Sequence, residues 1–304
     1  MKKVKLVKKA LLPAVIAVFC SLVALTSVSY AWFTLGNTAS VESIDVNVQA
    51  ADGIQISADA SSWKSVLPLA DLQGVADNEM PTGEIAPVST GGVVANGKMQ
   101  MFIGEVQNDG TTLKTTSQVE SGSDNANFFA FDIYVKLDNA KEFQLDKLSN
   151  VYAGNKPNNS EIAARVAFVN LGTAATAAEA KALNGDATNV VIWEPNAKKH
   201  VEAEVGVAND TAVPSYYGVI KENANGFNMT DGANDTTNLK LVDTEQYEYD
   251  ANGTTAANTL FELGAGYSKI RVYIWLEGQD VDCTNQISGG NFKVDLKFVV
   301  PAEE

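Results

Sequence analysis

The sequence predicts a mainly β fold, a single β-sandwich with long loops and one or two short helices. Three observations lead to this expectation. Four stretches alternate apolar and polar residues, the segments between them are rich in Gly, Asn, Asp, Ser and Thr, and one short stretch has helical composition. A period of two places successive side chains on opposite faces of a sheet. A cleavable hydrophobic leader is predicted to precede this domain.

Residues 1–31 are interpreted as a signal peptide. Five lysines are followed by an apolar run from Ala10 to about Val28, and no acidic residue stands before Glu42. A positively charged start and an apolar run of this kind are typical of a secretory leader. We therefore expect a secreted protein of the extracellular space or cell surface, which touches the membrane only through its leader before cleavage.

The predicted cleavage site lies between Ala31 and Trp32. Signal peptidase requires small side chains at the third and first positions before the cut, which here are Ser29 and Ala31. The alternative is an uncleaved anchor, because the apolar run approaches the ~20 residues that span a bilayer. Pro13 and several hydroxyl residues weaken the run as a permanent span, so cleavage is favoured.

The predicted mature chain is strongly acidic. The leader contains five of the 22 Lys and Arg residues and none of the 37 Asp and Glu residues, which leaves 17 basic residues against 37 acidic ones and a net charge of −20. Such a surface repels nucleic acid and anionic lipid, so binding to either by charge is not expected. Cys283, the single cysteine after cleavage, predicts either a disulfide between chains or a buried small residue.

The β elements follow in chain order. Long predicted strands cover residues 44–49, 129–137, 270–277 and 292–298, and shorter ones lie near residues 99–106, 164–170, 190–193 and 216–220. In each long strand the apolar set is expected to face the core and the polar set to face water. On the third long strand the outward set includes Arg271, Tyr273 and Trp275.

One helix is predicted over residues 176–183, which read T-A-A-E-A-K-A-L and are closed by Asn184-Gly185. These residues are strong helix formers, and Asn-Gly is a stop signal. No linker splits the chain and no internal repeat occurs. The predicted organisation is therefore a signal peptide at 1–31, an extended N-terminal segment at 32–43, and one sandwich domain at 44–304.

Catalytic signatures are missing from the sequence. His200 is the single histidine, which excludes an HExxH zinc protease and any zinc site built from several histidines. No GxSxG nucleophile elbow, phosphate-binding loop or dinucleotide-binding fingerprint occurs. The protein is therefore predicted not to be an enzyme.

Two acidic loops are weak candidates for calcium. Asp231 and Asp235 share one loop, and Asp280 and Asp282 share another. Calcium prefers hard oxygen ligands, but neither loop has EF-hand spacing. The alternative is that both loops are simply solvated, so no cofactor is predicted beyond a possible calcium ion.

Two stretches carry a resemblance to known families. The leader junction, S-Y-A-W-F-T at residues 29–34, resembles that of the TasA/camelysin class of proteins, which Gram-positive bacteria secrete and process with a dedicated signal peptidase. Residues 272–290 read V-Y-I-W-L-E-G-Q-D-V-D-C-T-N-Q-I-S-G-G. They are similar to a WLEG-D-x-x-C-x-N element of clostridial surface proteins with the same kind of leader. Together the two stretches cover about 40 residues.

The resemblance implies a jelly-roll β-sandwich that polymerises into an extracellular filament, a pilus or a biofilm matrix fibre. In TasA-like fibres the processed N-terminal segment inserts as a strand into the next subunit. The corresponding residues here are Trp32 to about Val41, with Trp32, Phe33, Leu35 and Val41 as the apolar contacts. The partner is then another copy of the same chain, joined by donor-strand complementation after cleavage.

A second function remains open, that of a monomeric cell-surface binding module for carbohydrate or calcium. Exposed aromatic side chains stack on sugars, and the candidates are Trp63, Trp193, Trp275 and the Tyr216-Tyr217 pair. Trp275 is the one to check, because it lies opposite the core set of its strand. The alternative for Trp275 is that another layer or an insertion covers that face.

Overall fold

The computed structural model describes residues 38–50, 55–106, 113–118, 120, 126–187, 189–199, 244–278, 280, 282–283 and 285–301. The predicted leader, most of the predicted donor segment, the strand expected at 216–220, His200, Asp231 and Asp235 lie outside these residues. Within the described ranges, no helix is both long enough and apolar enough to cross a membrane.

The described chain forms fourteen strands and two short α-helices. The strands are β1 (Ala39–Ala50), β2 (Ile56–Ser57), β3 (Val66–Pro68), β4 (Ser89–Ala95), β5 (Lys98–Val106), β6 (Leu113–Gln118), β7 (Phe129–Leu137), β8 (Lys141–Leu145), β9 (Asn150–Ala153), β10 (Ala164–Ala174), β11 (Val190–Trp193), β12 (Asn258–Leu263), β13 (Gly266–Leu276) and β14 (Gly290–Val300). The helices are α1 (Leu69–Gln73) and α2 (Ala177–Lys181), with 3₁₀ turns at Ala197–Lys199 and Asn285–Ile287.

The predicted mainly β fold is confirmed. β7 and β11 have the predicted bounds, and the other predicted strands that fall on described residues are longer at one or both ends. β13 starts four residues earlier than predicted and ends one residue sooner, at Leu276. The predicted helix is α2, and a capping box starts it: Thr176 Oγ1 accepts from the Glu179 N–H, and the Glu179 carboxylate accepts from the Thr176 N–H. Such reciprocal bonds satisfy two backbone donors that a helix start leaves free.

The first sheet has the order β12-β8-β14-β1-β3, and β9 also pairs with β14. Its central pair joins the first and last strands in parallel, from Ala39 opposite Gly290 to Ala50 opposite Val300. Parallel partners are distant in sequence, so alternation could predict both strands but not their pairing. This pair therefore brings the two ends of the described domain side by side in one sheet.

The second sheet has the order β11-β10-β13-β7-β2, with antiparallel pairs throughout. The main core lies between the two sheets and includes apolar side chains from both. Phe298 on β14 stacks on Phe143 at 4.6 Å between ring centroids and meets the edge of Phe168 on β10 at 5.7 Å. The molecule is therefore a two-sheet sandwich around one core.

A third sheet, β4-β5-β6, corrects the expectation for the outer face of the second sheet. That face was expected to meet water, but Arg271, Tyr273 and Trp275 are all buried. Met99 and Met101 of β5 pack with Tyr273 and Trp275 in a second apolar cluster. The physical reason is that the large aromatic groups on this face are covered by an added layer, the alternative that the sequence analysis left open.

Candidate functional site

The first strand of the sandwich is anchored at its very start. Ala39 exchanges two backbone hydrogen bonds with Ile85, at 3.2 Å and 2.8 Å, and the Gly289 N–H donates to the Thr38 carbonyl at 2.8 Å. The Thr38 hydroxyl also donates to Glu84. These bonds fix the point at which the predicted N-terminal segment joins the domain.

Val41 is the one predicted assembly residue that the structure describes. It lies in β1 opposite Phe292 of the same chain and packs against the main core. Ala31, Trp32, Phe33 and Leu35 lie outside the described residues. β1 begins five residues before the predicted domain start at residue 44, so a donated segment has to lie upstream of Ala39.

Among the described residues, β12 is an edge strand of the first sheet. Five of its six residues pair with β8, with a register shift at Leu260, and no other described strand pairs with β12. The opposite edge is β3, which has three residues. Because an edge strand presents unpaired N–H and C=O groups, it is a template for an added strand. β12 is therefore the longest described edge strand of the two main sheets.

A buried ionic network lies under the third sheet. Arg271 donates to Asp132 at 2.8 Å, to Glu120 at 2.5 Å and to the Asp77 carbonyl at 3.0 Å. Glu120 also accepts from the Tyr273 hydroxyl at 2.5 Å. The two carboxylate partners, Asp132 and Glu120, are nearly inaccessible to water. The network ties the third sheet to strands β7 and β13.

The electrostatics of this network keep Arg271 charged and Tyr273 protonated. Burial is the largest influence on the pKa of Arg271 and lowers it, but Asp132 and Glu120 together raise that pKa above its ordinary value. Burial, followed by the neighbouring Glu120, raises the pKa of the Tyr273 hydroxyl well above its ordinary value. Tyr273 therefore stays a hydrogen-bond donor at physiological pH.

A polar cavity of about 390 Å³ opens beside this network. Its floor is formed by Arg271, Lys269 and Asp132, and its rim by the β4–β5 turn and the chain that leaves α2. Lys269 Nζ lies 3.3 Å from Asp132 and donates to the Leu183 carbonyl at 3.0 Å. The cavity is therefore lined mainly by charged and amide groups.

The rim of the cavity is held by a tight turn. Asn96 and Gly97 connect β4 to β5, with φ of 52° and 76°, which is the backbone that a two-residue hairpin of type I′ requires. The Gly97 N–H donates to Gly185 at 3.1 Å, and the Asn96 N–H donates to Asp186 at 2.9 Å. The turn is therefore docked on the loop after α2.

Asp280 and Asp282, the described members of the predicted calcium candidates, lie in a second buried network. Asp280 Oδ2 accepts from Arg165 at 2.5 Å and its Oδ1 from the Asp282 N–H at 2.9 Å. Arg165 also donates to Glu194 at 2.7 Å. Among the residues that the structure describes, no group of three or more His, Cys, Asp and Glu side chains is arranged to hold a metal ion.

This second network clamps the loop that follows β13. Burial is the largest influence on the pKa of Arg165 and lowers it, but Glu194, Asp280 and Glu277 together raise it above its ordinary value. Cys283 is fully buried in the same loop. Burial, followed by the carboxylates of Asp280 and Glu277, raises the pKa of its thiol well above the ordinary value. A buried, protonated thiol is unreactive.

The aromatic residues proposed for sugar stacking are not gathered on the described surface. Trp193 and Trp275 are each 1% exposed, and their indole N–H groups donate to Tyr247 and Glu277. Trp63 is half-buried against Tyr267, with ring centroids 5.8 Å apart. The Tyr216-Tyr217 pair lies outside the described residues.

Sequence reasoning missed both arginine networks and the cavity. The chain has two arginines, and each occupies a strand position opposite the core-facing set. A buried arginine needs carboxylate partners. The presence of only two arginines, both inside predicted strands, was therefore a signal for buried ion pairs. Asn96-Gly97 between two apolar stretches was a second signal, for the β4–β5 hairpin.

In comparisons with known proteins, no family model, curated protein or solved structure matches the chain.

Proposed function

We propose that the protein is the structural subunit of an extracellular filament and assembles head-to-tail through its N-terminal segment after leader cleavage. The observation that carries the proposal is the edge strand β12, six residues long, in a domain whose first described strand starts at Ala39. In the proposed assembly, the residues between the expected cleavage site and β1 pair with a second copy.

The donor is the segment from Trp32 to Asn37, which reads W-F-T-L-G-N. Three of its first four residues are large and apolar, and in water they form a patch that needs a partner. β1 is fully engaged with β14 over residues 39–50, so the donor ends where β1 begins. Six residues in extended form span about 20 Å, the length of a six-residue strand.

The acceptor is β12 in the next subunit. Its sequence N-T-L-F-E-L includes Leu260, Phe261 and Leu263, which belong to the main core. The third sheet has two described edge strands, β4 and β6. β6 reads L-K-T-T-S-Q, and β4 reads S-T-G-G-V-V-A with a register shift between Thr90 and Val94. Apolar donor side chains gain more from the apolar neighbours of β12 than from these small and polar residues.

A contact of this kind is heterologous, because the donor of one subunit meets a different surface of the next. Such contacts extend without closing and build filaments. An attached leader would keep the donor segment at the membrane, so cleavage after Ala31 acts as the assembly switch. The strong net negative charge keeps the unassembled subunit soluble.

Cysteine pairing tests this arrangement. Single cysteines are placed at residues 33 to 36 of the donor and combined with Thr259→Cys on β12, where the side chain is exposed. Facing residues on adjacent strands lie within disulfide range, so one donor position should link to position 259 between chains. The linked species is read by non-reducing gel and peptide mass spectrometry.

The matched control places the acceptor cysteine on the opposite edge of the same sheet, with Val66→Cys on β3, where Val66 is 42% exposed. Donor links to position 66 in preference to position 259, or no donor link at either position in polymerised protein, would contradict the proposed acceptor.

A further inference from the structure

We propose that the cavity beside Arg271 is a binding site for a small hydroxylated carboxylate of the sugar-acid class. This goes beyond filament assembly, because the cavity lies on the outer face of the second sheet, away from β1 and β12. Its volume of about 390 Å³ falls in the range of small-molecule sites.

The charge of the lining is opposite to that of the protein. The chain has 37 acidic and 22 basic residues, yet the cavity is lined by four basic side chains against three acidic ones. The basic residues are Lys98, Lys181, Lys269 and Arg271. In a chain of this composition, a local excess of cations favours an anionic ligand.

The acidic members of the floor are already occupied. Asp132 accepts from Arg271 and lies 3.3 Å from the ammonium group of Lys269, and Glu120 accepts from Arg271 and Tyr273. Their charge is therefore matched inside the protein, and Lys98 Nζ also lies 3.9 Å from Glu120. Asp77 is the exposed acidic residue of the lining. Lys181 is the rim lysine that forms no ion pair among the described residues, so its charge is the one that faces a ligand most directly.

Arg271 supplies an independent observation. It is 3% exposed, it lines the cavity, and its Nε is buried with no acceptor among the described residues. A buried N–H without an acceptor destabilises the folded state. Nε is shielded from solvent, so a bound carboxylate reaches it only by displacing part of the lining; a carboxylate oxygen is the strongest acceptor for a guanidinium group.

The rim supplies further donors in a rigid frame. Lys98 donates one hydrogen bond, to the Glu120 carbonyl at 2.9 Å, and its side chain is 49% exposed. Lys181 is exposed at the end of α2. Asn96 and Asn184 add side-chain amides suited to ligand hydroxyls, and none of the described lining residues is aromatic. These groups select charge and hydroxyls over an apolar ligand.

The experiment is titration calorimetry of the leader-free protein with glucuronate, with glucose as the neutral probe. We expect saturable binding of glucuronate and none of glucose. Lys98→Gln and Lys181→Gln should each weaken glucuronate binding about tenfold or more, the effect of one lost hydrogen bond to a charged group. Lys156→Gln is the matched control, because Lys156 is an exposed lysine beside Asn291 on the first sheet.

The proposal is overturned by no heat with glucuronate at millimolar concentration, by equal binding of glucose, or by equal affinity of the Lys181→Gln and Lys156→Gln variants. Melting curves of each variant identify those that fold normally. Lys181 has an exposed side chain, so this substitution keeps the test valid even if Lys98→Gln loosens the β5 contact with Glu120.

Discussion

Arg271 Nη1 donates to Asp132 Oδ1 at 2.8 Å between the paired strands β13 and β7, and both side chains are buried on a sheet face that lies outside the main core. The contact exists because β4, β5 and β6 cover that face. A buried ion pair of this kind stabilises a structure only while every member keeps its partner.

Replacement of Arg271 by Met should therefore destabilise the protein strongly. The change leaves the Asp132 and Glu120 carboxylates buried without their main donor, which costs about 3–5 kcal/mol. The free energy of unfolding is measured by urea titration. Lys64→Met is the control, because it removes an exposed ion pair with Asp71 at 2.7 Å, and exposed pairs contribute about 0–1 kcal/mol. Equal losses in both variants would show that the network adds no stability.

Gly97→Ala should destabilise the β4–β5 turn. Gly97 has φ of 76°, and an added Cβ would lie 2.8 Å from the Asn184 Cα. The left-handed backbone alone costs a residue with a side chain about 1–2 kcal/mol, and the contact adds to it. Gly83→Ala is the control, since a Cβ at Gly83 has no neighbour within 4 Å. A Gly97→Ala variant that unfolds at the same urea concentration as Gly83→Ala would refute this account of the turn.

The stability of the loop at Asp59 should depend on pH. Its carboxylate accepts from Ser57 Oγ at 2.8 Å, from the Ser61 N–H at 2.9 Å and from the Ser62 N–H at 2.7 Å. Burial is the largest influence on the pKa of Asp59 and raises it, but these bonds and that from the Ser61 hydroxyl together lower it well below the ordinary 3.8.

A lowered pKa means that the folded state binds the proton less tightly than the unfolded state. The stabilisation is therefore complete above the ordinary pKa of about 3.9 and is lost as the pH falls below it. The melting temperature of Asp59→Asn should lie below that of the wild type at pH 7, and the gap should shrink between pH 4 and pH 3. A gap that stays constant over that range would contradict the assignment; the exposed Asp138→Asn variant is the control.

The elements that sequence predicted best are those set by local chemistry. β7 and β11 match their predicted bounds because each reads as a run of β-branched and aromatic residues between turn residues. The start of α2 at Ala177 follows from Thr176 and Glu179, which are three residues apart. Such signals lie within a few residues of one another.

The features that sequence could not predict depend on distant contacts. Glu120 and Arg271 are 151 positions apart, and the parallel pairing of β1 with β14 joins the two ends of the domain. Alternation places Trp275 opposite the core but does not say whether water or another sheet covers it. The candidate cavity could not be predicted for the same reason, because its walls come from six separate segments of the chain.

The structure also redefines the deletion that tests assembly. Removal of residues 32–41 would take away Ala39, Ser40 and Val41 of β1, which pair with Gly290, Asn291 and Phe292 in the same chain. Removal of residues 32–37 spares the strand. Loss of filaments in the shorter deletion therefore reports on the donor segment and not on damage to the sandwich.

Negative-stain electron microscopy tests filament assembly most directly. It compares the protein that starts at Trp32 with the variant that lacks residues 32–37. The expected result is filaments from the longer protein and folded monomers from the shorter one, with equal melting temperatures below the assembly concentration. Filaments from both proteins would contradict strand donation, and monomers from both would contradict the filament function itself.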